Sequence, residues 1–138
     1  MQILLVEDDA VLAMVSALAL EEAGHTVVGP VHDMQGFQEL PTLDGTDLAL
    51  VDINLAGANE GLEIARRLHE DQIPVLFISG QLNAARENDH LALGLLRKPH
   101  EVEDLLNSVE YVRNSSSSSG PAAPRPPALE VFAPNENL

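Results

Sequence analysis

Residues 3–9 read ILLVEDD, four aliphatic side chains in a row and then three acids. The run does not alternate apolar with polar, as a strand with one wet face does. A strand that is apolar at every position is covered on both faces, the habit of a parallel sheet flanked by helices. Two further runs have the same character, LALV at Leu48–Val51 and VLFI at 75–78. The acids that end the first run repel one another at the strand tip, and their crowding calls for a cation.

Amphipathic stretches separate these runs. A helix is expected over 10–23, with Gly24 as its stop, and a strand over 26–28. A weak helix lies between Asp33 and Leu40, ahead of Pro41. A third helix covers Glu60–Glu70, with Leu62, Ala65 and Leu68 at helical spacing. A fifth strand is expected over 93–96. A last helix follows Pro99, with Val102, Leu105, Leu106 and Val109 at i, i+3, i+4 and i+7. Residues 80–94, GQLNAARENDHLALG, have little helical period, so a fourth helix there is expected to be short or mobile. Five strand–helix units in residues 1–113 suit a doubly wound α/β sheet, and such sheets bind ligands beyond the carboxyl ends of their strands.

Composition narrows the function. The chain has 138 residues, one domain's worth, with 3% aromatics and no cysteine. The missing cysteine excludes disulfides and thiolate metal sites and favours the cytoplasm. A net charge of −15 repels phosphate backbones and anionic lipid heads, so neither nucleic acid nor membrane is an expected partner. The start lacks the basic region of a secretory signal, and the apolar run at 10–20 is too short to span a bilayer. From residue 114 onward comes NSSSSSGPAAPRPPALEVFAPNENL. So much Ser and Pro reads as a flexible or extended tail. Its small apolar island, LEVF at 129–132, is expected to have no task, with a short docking motif as the alternative.

The strand ends carry the chemistry. The first delivers Glu7 and Asp8, the third Asp52, the fourth Ser79 and the fifth Lys98 with Pro99. Clustered carboxylates without His or Cys suit a hard cation, Mg²⁺ above all. A carboxylate beside it can act as a nucleophile towards phosphorus. The new phosphoryl oxygens then need a cation, a hydroxyl donor and an ammonium. Asp9, one past the acidic pair, reads as the N-terminal cap of the first helix.

The four pieces ILLVEDD, LALVDINLAG, PVLFISG and LRKP together resemble the receiver domain of two-component response regulators, over residues 1–113. The resemblance implies a flavodoxin-like (βα)5 fold with a five-stranded parallel sheet in the order 2-1-3-4-5. It implies that Asp52 is the phosphoacceptor, that Glu7, Asp8 and Asp52 hold Mg²⁺ with the backbone carbonyl of Asn54, and that Ser79 and Lys98 bind the phosphoryl group. The Lys98–Pro99 bond is expected to be cis. The implied donor is a sensor histidine kinase or a histidine phosphotransfer protein, and the implied output is a contact with a downstream protein. The chain would be a stand-alone regulator, cytoplasmic, a monomer or weak dimer, catalysing only its own phosphorylation and dephosphorylation.

Two departures stand out. The position three before Lys98, commonly aromatic in the family, is Leu95, and His100 follows Lys98-Pro99 where another aromatic is usual. FISG resembles the Phe-Ala-Thr-Gly motif of a subgroup that lacks the first aromatic. The histidines at 25, 32, 69, 90 and 100 show no metal spacing and read as surface or loop residues. Met14 and Met34 read as packing residues, and Tyr111 as a helix residue with no special role. The first helix is apolar almost all round, and Ala13 and Ala17 are expected to face outward on it as a partner surface. Two alternatives stand beside the receiver reading: a phosphatase of the haloacid dehalogenase type, and a degenerate receiver that serves only as an interaction module.

Overall fold

The computed structural model describes residues 1–55, 59–115 and 124–132. Its elements are β1 (Gln2–Val6), α1 (Ala10–Glu22), β2 (Thr26–Val31), α2 (Met34–Gln38), β3 (Leu48–Val51), α3 (Glu60–Glu70), β4 (Val75–Ser79), α4 (Leu82–Glu87), β5 (Gly94–Arg97), α5 (Val102–Ser115) and β6 (Leu129–Val131). They form one sheet in the order β2-β1-β3-β4-β5-β6. The first five strands are mutually parallel, in the expected order.

The continuous apolar runs are explained by two separate cores. Ile3 and Leu5 of β1 point to one face, where they meet Ala17 and Leu20 of α1 and Leu105 and Val109 of α5. Leu4 and Val6 point to the other, among Phe37 of α2 and Leu62, Ile64, Ala65 and Leu68 of α3. Each aliphatic side chain of the strand therefore has a helix to bury it. At roughly 25 cal/mol per Å² of apolar surface, this two-sided burial is the main force holding the sheet.

Local signals set the ends of α1. The Asp9 carboxylate accepts from the backbone N–H groups of Val11 and Leu12, both at 3.0 Å, as an N-terminal cap should. At the other end, Gly24 has φ +96°. Its N–H reaches the Glu21 carbonyl at 3.0 Å, and the His25 N–H reaches that of Leu20 at 3.0 Å. This closing turn satisfies carbonyls the helix leaves open and needs a residue without Cβ at position 24. The fourth helix is short, six residues, followed by one 3-10 turn at Asp89–Leu91.

Several expectations are corrected. Among the described residues the sheet has six strands, because Leu129–Val131 folds back antiparallel onto β5. The LEVF island is therefore a strand with its leucine buried. Within the expected tail, residues 116–123 and 133–138 lie outside the described residues. β2 runs to Val31 instead of 28, through a cis Gly29–Pro30 bond. On α1, Ala13 and Ala17 face inward and are buried, while Val11, Met14, Val15 and Leu18 are exposed. The inward stripe is 13, 16, 17 and 20. The outward stripe, 11, 14, 15 and 18, repeats at the same spacing, so periodicity alone cannot tell them apart. Met14 is thus a surface residue, 57% exposed, and Met34 packs against the core. His25 is buried, not at the surface.

Candidate functional site

The parallel sheet brings the ends of β1, β3, β4 and β5 to one edge, and each delivers a polar side chain there. Glu7 follows β1, Asp52 follows β3, Ser79 ends β4 and Lys98 follows β5. Asp8, Asp52, Asn54, Ser79 and Lys98 line a shallow cleft of about 520 Å³. Glu7 lies beneath it, 3% exposed.

Lys98 is the centre of the charge pattern. Its Nζ donates to Glu7 Oε1 at 2.7 Å and to Asp52 Oδ2 at 3.1 Å. Burial works against its charge. The hydrogen bond to Glu7 and the negative charges of Asp52 and Glu7 more than offset that, and raise the lysine above its ordinary value. Burial dominates at Glu7 and pushes its carboxyl up to about 7, against the hydrogen bonds from Lys98 and from the Asp9 N–H. Lys98 therefore keeps its proton at neutral pH while Glu7 stands near its midpoint.

Backbone contacts hold these groups in place. The Asn54 N–H donates to Asp52 Oδ1 at 3.1 Å. The Gln81 N–H donates to the buried Ser79 Oγ at 2.9 Å, and the Lys98 N–H to the Ser79 carbonyl at 3.0 Å. The Lys98–Pro99 bond is cis, as expected. The loop after β1 is tied to the end of β2, with the Glu7 N–H on the Val31 carbonyl at 2.9 Å and His32 Nδ1 on the Glu7 carbonyl at 2.8 Å.

The donor set fits a hard divalent cation. One carboxylate oxygen from each of Glu7, Asp8 and Asp52 lies within 4.8 Å of the others. Glu7 and Asp52 are buried and Asp8 is exposed, so the group opens to water on one side. All donors are oxygens, which suits Mg²⁺, an ion that takes few carboxylates and keeps several waters.

Two contributors were not singled out in the sequence. Gly61, in the first turn of α3, packs against the chain that leaves β3. A Cβ there would collide with the Asp52 carbonyl and lie 2.6 Å from that of Ile53. A glycine inside a helical pattern is the available signal for such close approach. His32 is the other; its sequence context carries no signal for a bond to the Glu7 carbonyl, because that contact depends on the register of β1 against β2. Leu95, where an aromatic is common, is fully buried in the core between β5 and α4.

The fold and this edge define a phosphoacceptor signalling domain. A family model for the response regulator receiver domain matches residues 3–110, and the chain belongs to that family, the receivers of two-component systems. The transcriptional regulatory protein PdtaR of Mycobacterium tuberculosis is 30% identical over 112 residues, 79% of this chain and 55% of that protein. An uncharacterized transcriptional regulatory protein of Bacillus subtilis, YkoG, is 33% identical over 109 residues, 75% of this chain and 47% of the relative. The chain thus spans about half the length of the curated relatives it matches. Among solved structures, the non-phosphorylated HemR receiver domain from Leptospira biflexa is similar with a TM-score of 0.73 and 25% identity, covering 87% of this chain and 98% of that one. A receiver domain of a modulated diguanylate cyclase from Desulfovibrio desulfuricans gives 0.69 and 30%, covering 83% and 94%. Family membership sets aside the haloacid dehalogenase reading, as does the position of Asp52 after β3 instead of β1.

Proposed function

We propose that residues 1–113 act as a phosphorylation switch in which Asp52 accepts a phosphoryl group from a phosphohistidine. The observation that carries this reading is the pairing of one lysine with two buried acids at the mouth of the cleft. An ammonium held that way is ready to receive a phosphoryl oxygen as soon as Asp52 becomes an acyl phosphate. Asp52 Oδ is the nucleophile; the bond from phosphorus to the histidine nitrogen breaks as the bond to Asp52 forms. Lys98 then pairs with one phosphoryl oxygen, and the Ser79 hydroxyl, now accepting from Gln81, turns to donate to another. Asp8, Asp52 and the carbonyl of Asn54 would hold Mg²⁺ directly, with Glu7 acting through water. Bound there, the ion supplies neutralisation of the charge that gathers on the transferring group.

The donor is a sensor histidine kinase or a histidine phosphotransfer protein. Its docking site is the outward stripe of α1, Val11, Met14, Val15 and Leu18, which begins beside the acidic edge and is too apolar for a face meant only for water. The output is a protein contact, because a chain of charge −15 does not itself grip nucleic acid. The reading is of a cytoplasmic domain, a monomer or weak dimer, that catalyses its own phosphorylation and dephosphorylation only. Nearness to the Phe-Ala-Thr-Gly subgroup is supported by FISG and by the buried Leu95. A degenerate receiver that serves only as an interaction module is disfavoured by the complete set of Glu7, Asp8, Asp52, Ser79 and Lys98. The test is transfer from a phosphorylated kinase: a stoichiometric acyl phosphate on this chain supports the reading, and catalytic turnover of a simple phosphomonoester without an adduct contradicts it.

A further inference from the structure

The strand after α5 has no part in the chemistry above, yet its contacts are specific. β6 pairs with the outer edge of β5 through Gly94 with Val131, Leu95 with Glu130 and Leu96 with Leu129. Two flanking backbone bonds of 3.0 Å extend the ladder, from the Arg97 N–H to the Ala128 carbonyl and from the Phe132 N–H to that of Leu93. A Cβ on Gly94 would collide with the Glu130 carbonyl, so the missing side chain is what lets the strands approach.

Side chains are read as well. Arg86 of α4 grips Glu130 with both arms of its guanidinium, Nε to Oε2 at 2.9 Å and Nη2 to Oε1 at 2.7 Å. Arg97 donates to the Pro127 carbonyl at 2.7 Å. Leu129 enters the core shared with α5, and Phe132 packs on the opposite core. Val131 points outward, 41% exposed, and is not read. The edge therefore selects an extended segment of pattern Leu-Glu-x-Phe.

The occupant is lightly held. It is three residues long, and its ion pair lies open to water, where such pairs contribute little. A strand edge left bare recruits another strand. We propose that the β5 edge, with Arg86, Gly94 and Arg97, is a strand-addition site for an extended Leu-Glu-x-Phe-like segment of a protein partner, and that residues 129–132 occupy it in cis as a competitor. Tethering gives the cis segment an effective concentration on the order of mM, so a partner must out-compete it or meet it already released. The proposal does not depend on the chemistry at Asp52, although Arg97 places the occupant one residue from Lys98.

The test uses the full chain with Leu129→Asp and Glu130→Ala, which spoil the cis segment and leave the groove intact. A fluorescein-labelled peptide of residues 124–132, PRPPALEVF, is titrated in by anisotropy. Saturable binding to this variant, and far weaker binding to the unaltered chain, is expected. Adding Arg86→Glu should weaken it about tenfold, and a peptide with Arg in place of the glutamate should restore it. Absence of saturable binding by a variant with a cooperative melt overturns the proposal, as does indifference to Arg86→Glu. If the double variant does not fold, Glu130→Arg alone is used, with hydrogen exchange at the β5 amides as the readout; protection unchanged by peptide overturns the proposal equally. A dimer of the unaltered chain in sedimentation, lost on Glu130→Arg, would assign the occupant to a second copy and contradict the cis arrangement.

Discussion

Lys98 Nζ donates to Asp52 Oδ2 at 3.1 Å, although β4 lies between the strands that carry the two residues. The same nitrogen is 2.7 Å from Glu7 Oε1. One cation thus serves two buried carboxylates, and its removal has a consequence that depends on pH. Lys98→Met should destabilise the fold by about 1–3 kcal/mol at pH 8 in urea denaturation without added metal. The burial-raised carboxyl of Glu7 takes a proton as pH falls below about 7, so the deficit should shrink by pH 6. A deficit equal at both values would contradict the pairing.

Gly61→Ala puts a methyl group against the Asp52 carbonyl. Helix propensity alone favours alanine. The collision should win, because backbone cannot give way as a flexible side chain can, and overpacking of this kind costs about 1–3 kcal/mol. The expected result is a lower urea midpoint together with slower adduct formation at Asp52. A stabilised protein with unchanged phosphorylation would mean that the loop does not depend on this contact.

Much of the fold was legible in the residues, for a physical reason. The non-alternating runs 3–6, 48–51 and 75–78 state two-sided burial directly, and the caps of α1, Asp9 and Gly24, are local devices. The chemistry at the strand ends followed from the topology rule for open sheets. What stayed hidden is non-local or symmetric. The inner and outer stripes of α1 are both apolar at helical spacing, so Ala13 and Ala17 could not be told from Val11 and Met14. The strand at 129–131 is too short to stand out beside prolines, and its partner, Gly94, lies inside the expected strand 93–96 with nothing to mark a close neighbour until β6 is seen against it. Gly61 matters only because α3 crosses the end of β3.

The outward stripe of α1 separates partner docking from chemistry. Met14→Glu and Leu18→Glu alter side chains that are 57% and 54% exposed, so stability should change by no more than about 0.5 kcal/mol. Transfer from a cognate kinase should fall at least about tenfold, while phosphorylation by acetyl phosphate stays at the level of the unaltered chain. Equal loss with both donors would place the stripe in the chemistry instead of at an interface.

His25 gives the fold an acid-side weakness. It is buried, and burial together with the nearby terminal amine lowers its pKa from the ordinary 6.5, with Arg113 adding to the effect and Glu110 opposing it. The folded state thus favours the neutral ring. Its contribution is fully present above 6.5 and is lost as pH falls through the lowered value, because the unfolded chain binds the proton first. His25→Gln should flatten the fall in the urea midpoint as pH drops below 6.5. A slope unchanged by the substitution would mean that other groups cause it.

The central claim is that Asp52 is the residue phosphorylated. The direct measurement is intact-mass analysis after incubation with acetyl phosphate and Mg²⁺, for the unaltered chain and for Asp52→Asn. The account predicts a single phosphoryl adduct on the unaltered chain, absent without Mg²⁺ and absent from the variant. An adduct that persists in Asp52→Asn, or none on the unaltered chain with any phosphodonor including a cognate kinase, would contradict it.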